Sequence, residues 1–174
     1  MNVVQDLAAR TLLVILAAAV VQDFMYMKIS NRLILTGILF SLAFGLTMGG
    51  PKQIICMLVN LSFPVIVLYL LYLLGVLGAG DIKLFSIIGG FTNFRLLISC
   101  MFFSFVAAAI IAVCKLLYNR NLFSSLFRAG VYFRSLRQEG IVSYHKEWAE
   151  HRNLMHFSVA ILIGYIAAVA VPVM

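Results

Sequence analysis

Long apolar runs separated by short charged clusters leave this chain few ways to fold. The runs cover roughly 12–21 (extended backwards by 7–9), 33–48, 54–77, 84–94, 96–117 and 154–173. A helix needs about 20 apolar residues to cross ~30 Å of hydrocarbon. Lipid offers no partner to an unpaired backbone N–H or C=O, so helices and closed barrels are the spanning structures. Barrel strands would alternate apolar and polar residues, and these runs do not. Of the 174 residues, 64% are hydrophobic and 11% charged, against about a quarter charged in a soluble domain. The expectation is an all-α, polytopic integral membrane protein with about six transmembrane helices. It reads as a single membrane-embedded domain over 1–174 with a basic loop at about 118–152.

The first run resembles a secretory signal, with Arg10 before it and Ala17-Ala18-Ala19 near its end. The five further runs and the charged patch at 22–32 favour a retained anchor. Gly49-Gly50-Pro51 signals a turn between the second and third spans. Six spans place both termini on one side. The segments 23–32, 78–83 and 115–152 share the other side and hold ten of the 13 Lys and Arg residues. The richer side belongs in the cytoplasm, so both termini lie outside. Asp23 and Asp81 then fall at the cytoplasmic edge. The net charge of +7 is explained by these loops and points to no nucleic-acid partner. Cys56, Cys100 and Cys114 lie in apolar runs without a CxxC pair, and read as buried free thiols. Cys100 and Cys114 share one span, ~21 Å apart along a helix and beyond disulfide reach.

Asp23 closes the first span and Asp81 opens the fourth. Acidic groups at membrane depth are costly and are therefore functional candidates. Two carboxylates brought close share a proton, so one can take a proton from water while the other polarises a carbonyl. Gly78 and Gly80 would let a peptide backbone approach beside Asp81. Asp81 also suits a helix N-cap, and on the tetrapeptide Gly78-Ala79-Gly80-Asp81 alone a capped turn is the simpler reading. Lys28, Arg32 and Lys83 mark the lipid–water boundary. Lys83 stands two residues from Asp81, so on a helix the two do not face each other. Ser30 or Asn31 reads as the N-cap of the second helix.

Taken together the two patches are more specific. Asp23 with Lys28-Ile29-Ser30-Asn31, followed by Gly78-Ala79-Gly80-Asp81-Ile82-Lys83, resembles the type IV prepilin peptidases and archaeal preflagellin peptidases. These are GxGD-type membrane aspartyl proteases, and presenilin-like proteases share the second motif. The family's first motif carries Ile-Pro-Asn, and Ser30 stands here at the proline position. Its last helix opens with Pro-Phe, where this chain has His156-Phe157. The resemblance implies Asp23 and Asp81 as the catalytic pair and pilin-like precursors as substrates, cut after a glycine at the cytoplasmic end of their hydrophobic segment. It implies no metal and no cofactor. Nothing in the chain matches the methylating domain of larger relatives, so a peptidase-only form is expected.

Other features admit plainer readings. Glu147 and His151 stand one helical turn apart, but i,i+4 pairs are common on solvated helices and no third ligand is evident. Residues 122–136 interleave aromatics with Arg128 and Arg134, which suits either an interfacial helix or a cytoplasmic one packed on the bundle. The rival functions are a small transporter or membrane subunit, whose buried acids would carry protons or ions, and a GxGD protease acting on other membrane segments. No inverted repeat supports the transporter, and the Ile-Ser-Asn pattern favours pilin-like substrates. The charge split makes the topology testable. Reporters fused at residue 50 and at residue 174 should read external, and one near residue 130 cytoplasmic. A cytoplasmic signal at residue 174 overturns the six-span arrangement.

Overall fold

A computed structural model describes residues 3–74, 76–118 and 157–171. Among these residues all regular structure is helical: α1 (Val3–Tyr26), α2 (Asn31–Leu73), α3 (Ala79–Phe91), α4 (Phe94–Tyr118) and α5 (Phe157–Ala170). Three stretches are long and apolar enough to span a membrane, namely Val4–Tyr26, Gln53–Leu73 and Phe94–Lys115. Asn31–Thr47 and Phe157–Ala170 are shorter apolar helices. Large apolar side chains such as Val14, Ile66, Leu70, Phe102 and Ile110 point out of the bundle. Helices apolar on all faces suit lipid rather than water. The fold is that of an all-α, polytopic membrane protein.

The backbone is helical over all 43 residues of α2. A straight helix of that length would measure ~65 Å, twice the hydrocarbon thickness. It is not straight. A side chain added at Gly90 would stand 2.7 Å from Ser41 Oγ and 3.8 Å from Leu61 Cδ1. In a straight helix Ser41 and Leu61 would be ~30 Å apart. Met57 Sδ likewise comes within 3.0 Å of where a Cβ on Gly45 would lie. The bend therefore falls between Gly45 and Met57, the interval that holds Gly49-Gly50-Pro51. Proline lacks the N–H that an uninterrupted helix requires. The turn expected from sequence is thus a sharp fold within α2, and its two legs supply two of six apolar segments.

Both legs clasp α3. This helix has only 13 residues, ~20 Å, too short to span hydrocarbon alone. Ile82 and the unbroken run from Leu84 through Gly89 are buried, as expected of a helix enclosed on every face. Small residues permit this closeness. Gly37 faces Ile87, Gly90 faces Ser41, and a methyl at Gly89 would collide with the backbone carbonyl of Asn60. Asn60 Nδ2 donates to the Thr92 carbonyl at 3.1 Å, pinning the end of α3. Buried Ser41, Ser86 and Ser104 donate to carbonyls of their own helices, so none is unsatisfied.

Several expectations are corrected. The fourth helix begins at Ala79, not near Leu84, so Gly80 to Lys83 lie inside it rather than in a break. Its N-cap is Gly78; Asp81 occupies the third helical position. Helix propensity of glycine is poor, and capping by Asp81 offsets it. Of the three thiols only Cys100 is buried, while Cys56 and Cys114 are exposed. Cys100 and Cys114 do share one helix, α4. The basic loop at 118–152, with Glu147, His151 and the segment 122–136, lies outside the described residues. By contact density the chain divides into two units, one of Met1–Ala108 with His156–Met174 and one of Ala109–Met155. The described part of the second, 109–118, belongs to α4.

Close packing at Gly89 gives a sign test. On propensity alone, Gly89→Ala should stabilise a helix interior by about 1 kcal/mol. Here the added methyl meets backbone, which cannot turn aside, and overpacking of this kind costs roughly 1–3 kcal/mol. Thermal unfolding in detergent should show Gly89→Ala melting below the wild type. Gly45→Ala, facing only the flexible Met57 thioether, should melt no lower.

Candidate active site

The last turn of α1 and the first turn of α3 come to the same end of the bundle. Four residues, 27–30, join α1 to α2. Met27 has φ 52°, a left-handed conformation uncommon outside glycine, and its N–H still bonds the Asp23 carbonyl at 2.9 Å. That reversal ends α1 at Tyr26, one turn past Asp23. Gln22 Oε1 then accepts the Ser30 N–H at 3.0 Å and folds the connection back onto α1. Ser30 is the N-cap of α2, its hydroxyl accepting the Arg32 N–H at 3.2 Å. Asn31, the first residue of α2, accepts from Lys83 Nζ at 2.9 Å. Lys83 therefore ties α3 to α2, a partner that its spacing from Asp81 did not reveal. Lys28 is exposed.

Asp81 is half-buried in the first turn of α3. Its Oδ2 accepts the Gly78 N–H at 3.2 Å, and its own N–H bonds the Gly78 carbonyl at 3.1 Å. A carboxylate at this position complements the positive end of the helix dipole. Gly78 has φ −80°, which any residue can adopt, so the backbone does not demand glycine there. At Gly80 a Cβ would approach Ile29 Cδ1 to 3.2 Å. The neighbour of Gly80 in this structure is thus the Ile29 side chain from the α1–α2 connection.

Asp23, also half-buried, accepts a hydrogen bond from Ser158 Oγ at 2.6 Å through its Oδ2. Ser158 is 1% exposed and lies in the first described turn of α5. Its neighbour Phe157 packs 6.2 Å from Phe85 and 5.8 Å from Phe105, ring centroid to centroid. Phe85 stands four residues beyond Asp81, on the same face of α3. One dipeptide, Phe157-Ser158, therefore touches Asp23 directly and α3 one turn above Asp81. Sequence reasoning missed Ser158. A hydroxyl in an apolar helix separated from Asp23 by 135 residues carries no local signal. Only the departure from Pro-Phe at His156-Phe157 marked the vicinity.

Among the described residues no three His, Cys, Asp or Glu side chains gather as a metal site would require. What the arrangement offers is two carboxylates at one end of an apolar bundle, each held by a specific donor.

The contact at Gly80 can be tested by compensation. Gly80→Ala should lower thermal stability by about 1 kcal/mol through crowding against Ile29. Ile29→Val removes the nearest carbon and should recover most of that loss in the double variant. Simple addition of the two effects would show that Ile29 is not the obstacle.

Comparison with known proteins gives one match. Neither the curated proteins nor the solved structures yielded any. Residues 11–113 match the type IV leader peptidase family. The matched region covers more than half of the chain and contains Asp23, the α1–α2 connection and the whole of α3. It ends before α5, so Ser158 is outside it. The family is one of proteases, and the helices are those of a membrane protein. This chain belongs to the type IV leader peptidase family.

Proposed function

We propose that the protein is a membrane aspartyl endopeptidase that removes leader peptides from type IV pilin-like precursors, with Asp23 and Asp81 as its catalytic pair. The observation that carries this reading is the convergence on Phe157-Ser158, which touches Asp23 and packs on α3 one turn above Asp81. Family membership supports the peptidase chemistry. Residue types support the aspartyl class.

In this mechanism one carboxylate is ionised and draws a proton from a water molecule. The other is protonated and donates to the scissile carbonyl, sharpening its electrophilicity. Attack gives a tetrahedral intermediate, and the proton taken from water is then available to the departing amine. The two aspartates work as one unit, so neither is assigned one role permanently. Precursors would present a leader, a glycine and then an apolar helix. The bilayer holds that helix, and the peptide bond behind it is brought to the end of the bundle where the aspartates lie. On the charge distribution that end faces the cytoplasm and both termini lie outside.

Asp23→Asn and Asp81→Asn should each reduce cleavage of a pilin-like precursor by at least about a thousandfold, because paired groups fail together. Mass spectrometry of the products is the measurement, and precursor binding should survive both changes. Asp6→Asn should cleave normally, since Asp6 lies in the first turn of α1, ~26 Å along the helix from Asp23. Near wild-type cleavage by either aspartate variant would refute the mechanism.

A further inference from the structure

We propose that Ser158 is a positioning residue for Asp23: its buried hydroxyl orients the Asp23 carboxylate toward the substrate from a helix beyond the family-matched residues. The inference rests on the aspartyl reading above and adds to it a residue that neither the motifs nor the family match contains.

Ser158 Oγ lies 2.6 Å from Asp23 Oδ2, the short distance of an O–H donor to a charged acceptor. A serine in a helix ordinarily returns its hydrogen bond to a carbonyl one turn back. Ser41, Ser86, Ser99 and Ser104 all do so here. Ser158 instead donates across the bundle to an acidic side chain on another helix. With 1% of its surface exposed, it is held by its surroundings and not by solvent.

The helix that carries Ser158 is itself fixed. Phe157 is wedged between Phe85 of α3 and Phe105 of α4, with centroid separations of 6.2 and 5.8 Å. Phe85 and Phe105 stack at 6.2 Å. About two turns further on, Gly164 allows α5 to meet the α4 backbone at Ser104. A rigid donor is what keeps a catalytic side chain in a single rotamer. Asp23 stands in the last turn of α1, just before the left-handed Met27, where the backbone alone restrains it least. Orientation errors near 1 Å cost on the order of 100-fold in rate. The hydroxyl would thus affect turnover more than substrate capture, because Asp23 reacts with water and the scissile carbonyl and does not grip the precursor's helix.

Ser158→Ala in the full chain tests this with a pilin-like precursor as substrate. Its kcat should fall by about 10- to 100-fold, with KM and the melting temperature close to wild type. Ser158→Cys, similar in size with a weaker donor, should fall between the two. Ser41→Ala, which removes a buried serine that takes no part in holding α5, should retain wild-type kcat. Infrared difference spectra supply a readout independent of turnover. The carboxylate band lost in Asp23→Asn should move in Ser158→Ala and stay fixed in Ser41→Ala. An unchanged kcat, a rise confined to KM, a rate loss matched by a fall in melting temperature, or an unmoved Asp23 band would overturn the proposal. If Asp23→Asn itself cleaves the precursor, the aspartyl reading fails instead, and the band shift then judges the hydrogen bond alone.

Discussion

The structure depends on enclosing a helix too short to cross a membrane. α3 has one turn of polar and small residues, from Ala79 to Lys83, followed by a run that is buried throughout. Such a helix is stable only where other helices cover it on all sides, and the folded α2 does most of that covering. Gly37, Gly89 and Gly90 set the approach distance, because a larger side chain at any of them would push a neighbouring helix away. Asn60 fixes one end of α3 through Thr92, and Asn31 fixes the other through Lys83. With both ends anchored, the height of Asp81 is set relative to α2.

That anchoring bears on how acidic groups persist at an apolar boundary. A carboxylate in lipid is expensive unless donors surround it. Asp81 obtains a donor locally, from the N-cap amide of its own helix. Asp23 sits at the opposite kind of terminus, where the helix presents carbonyls and supplies no free N–H. It draws a donor from across the bundle, in Ser158. The contrast follows from helix polarity: an acid at a first turn can be served by its own backbone, and one at a last turn cannot.

Much of the fold was legible from residue order. Hydrophobic runs gave six apolar segments because lipid requires complete backbone pairing within each helix. Gly49-Gly50-Pro51 marked a reversal because proline withholds a donor, although the reversal proved to be a fold within one helical stretch. The start of α3 was placed several residues late. Gly80 and Asp81 look like a turn in isolation, and the backbone bond from the Ile82 N–H to the Gly78 carbonyl shows that the helix has already begun. Cys56 and Cys114 were read as buried because they are apolar, but in a membrane apolar side chains serve equally well on the lipid face.

Residue identity by itself determined that this chain is a bundle of apolar helices, that Asp23 and Asp81 flank its motifs, and that both matched a peptidase pattern. These are properties of local composition and spacing, which survive without knowledge of any long-range contact. Tertiary structure decided the rest. It paired Lys83 with Asn31, set Ile29 against Gly80, and brought Ser158 to Asp23 from 135 residues away. None of these contacts is encoded by a periodicity, because each joins residues distant in sequence whose relative height and rotation are fixed only when the small-residue contacts around α3 close.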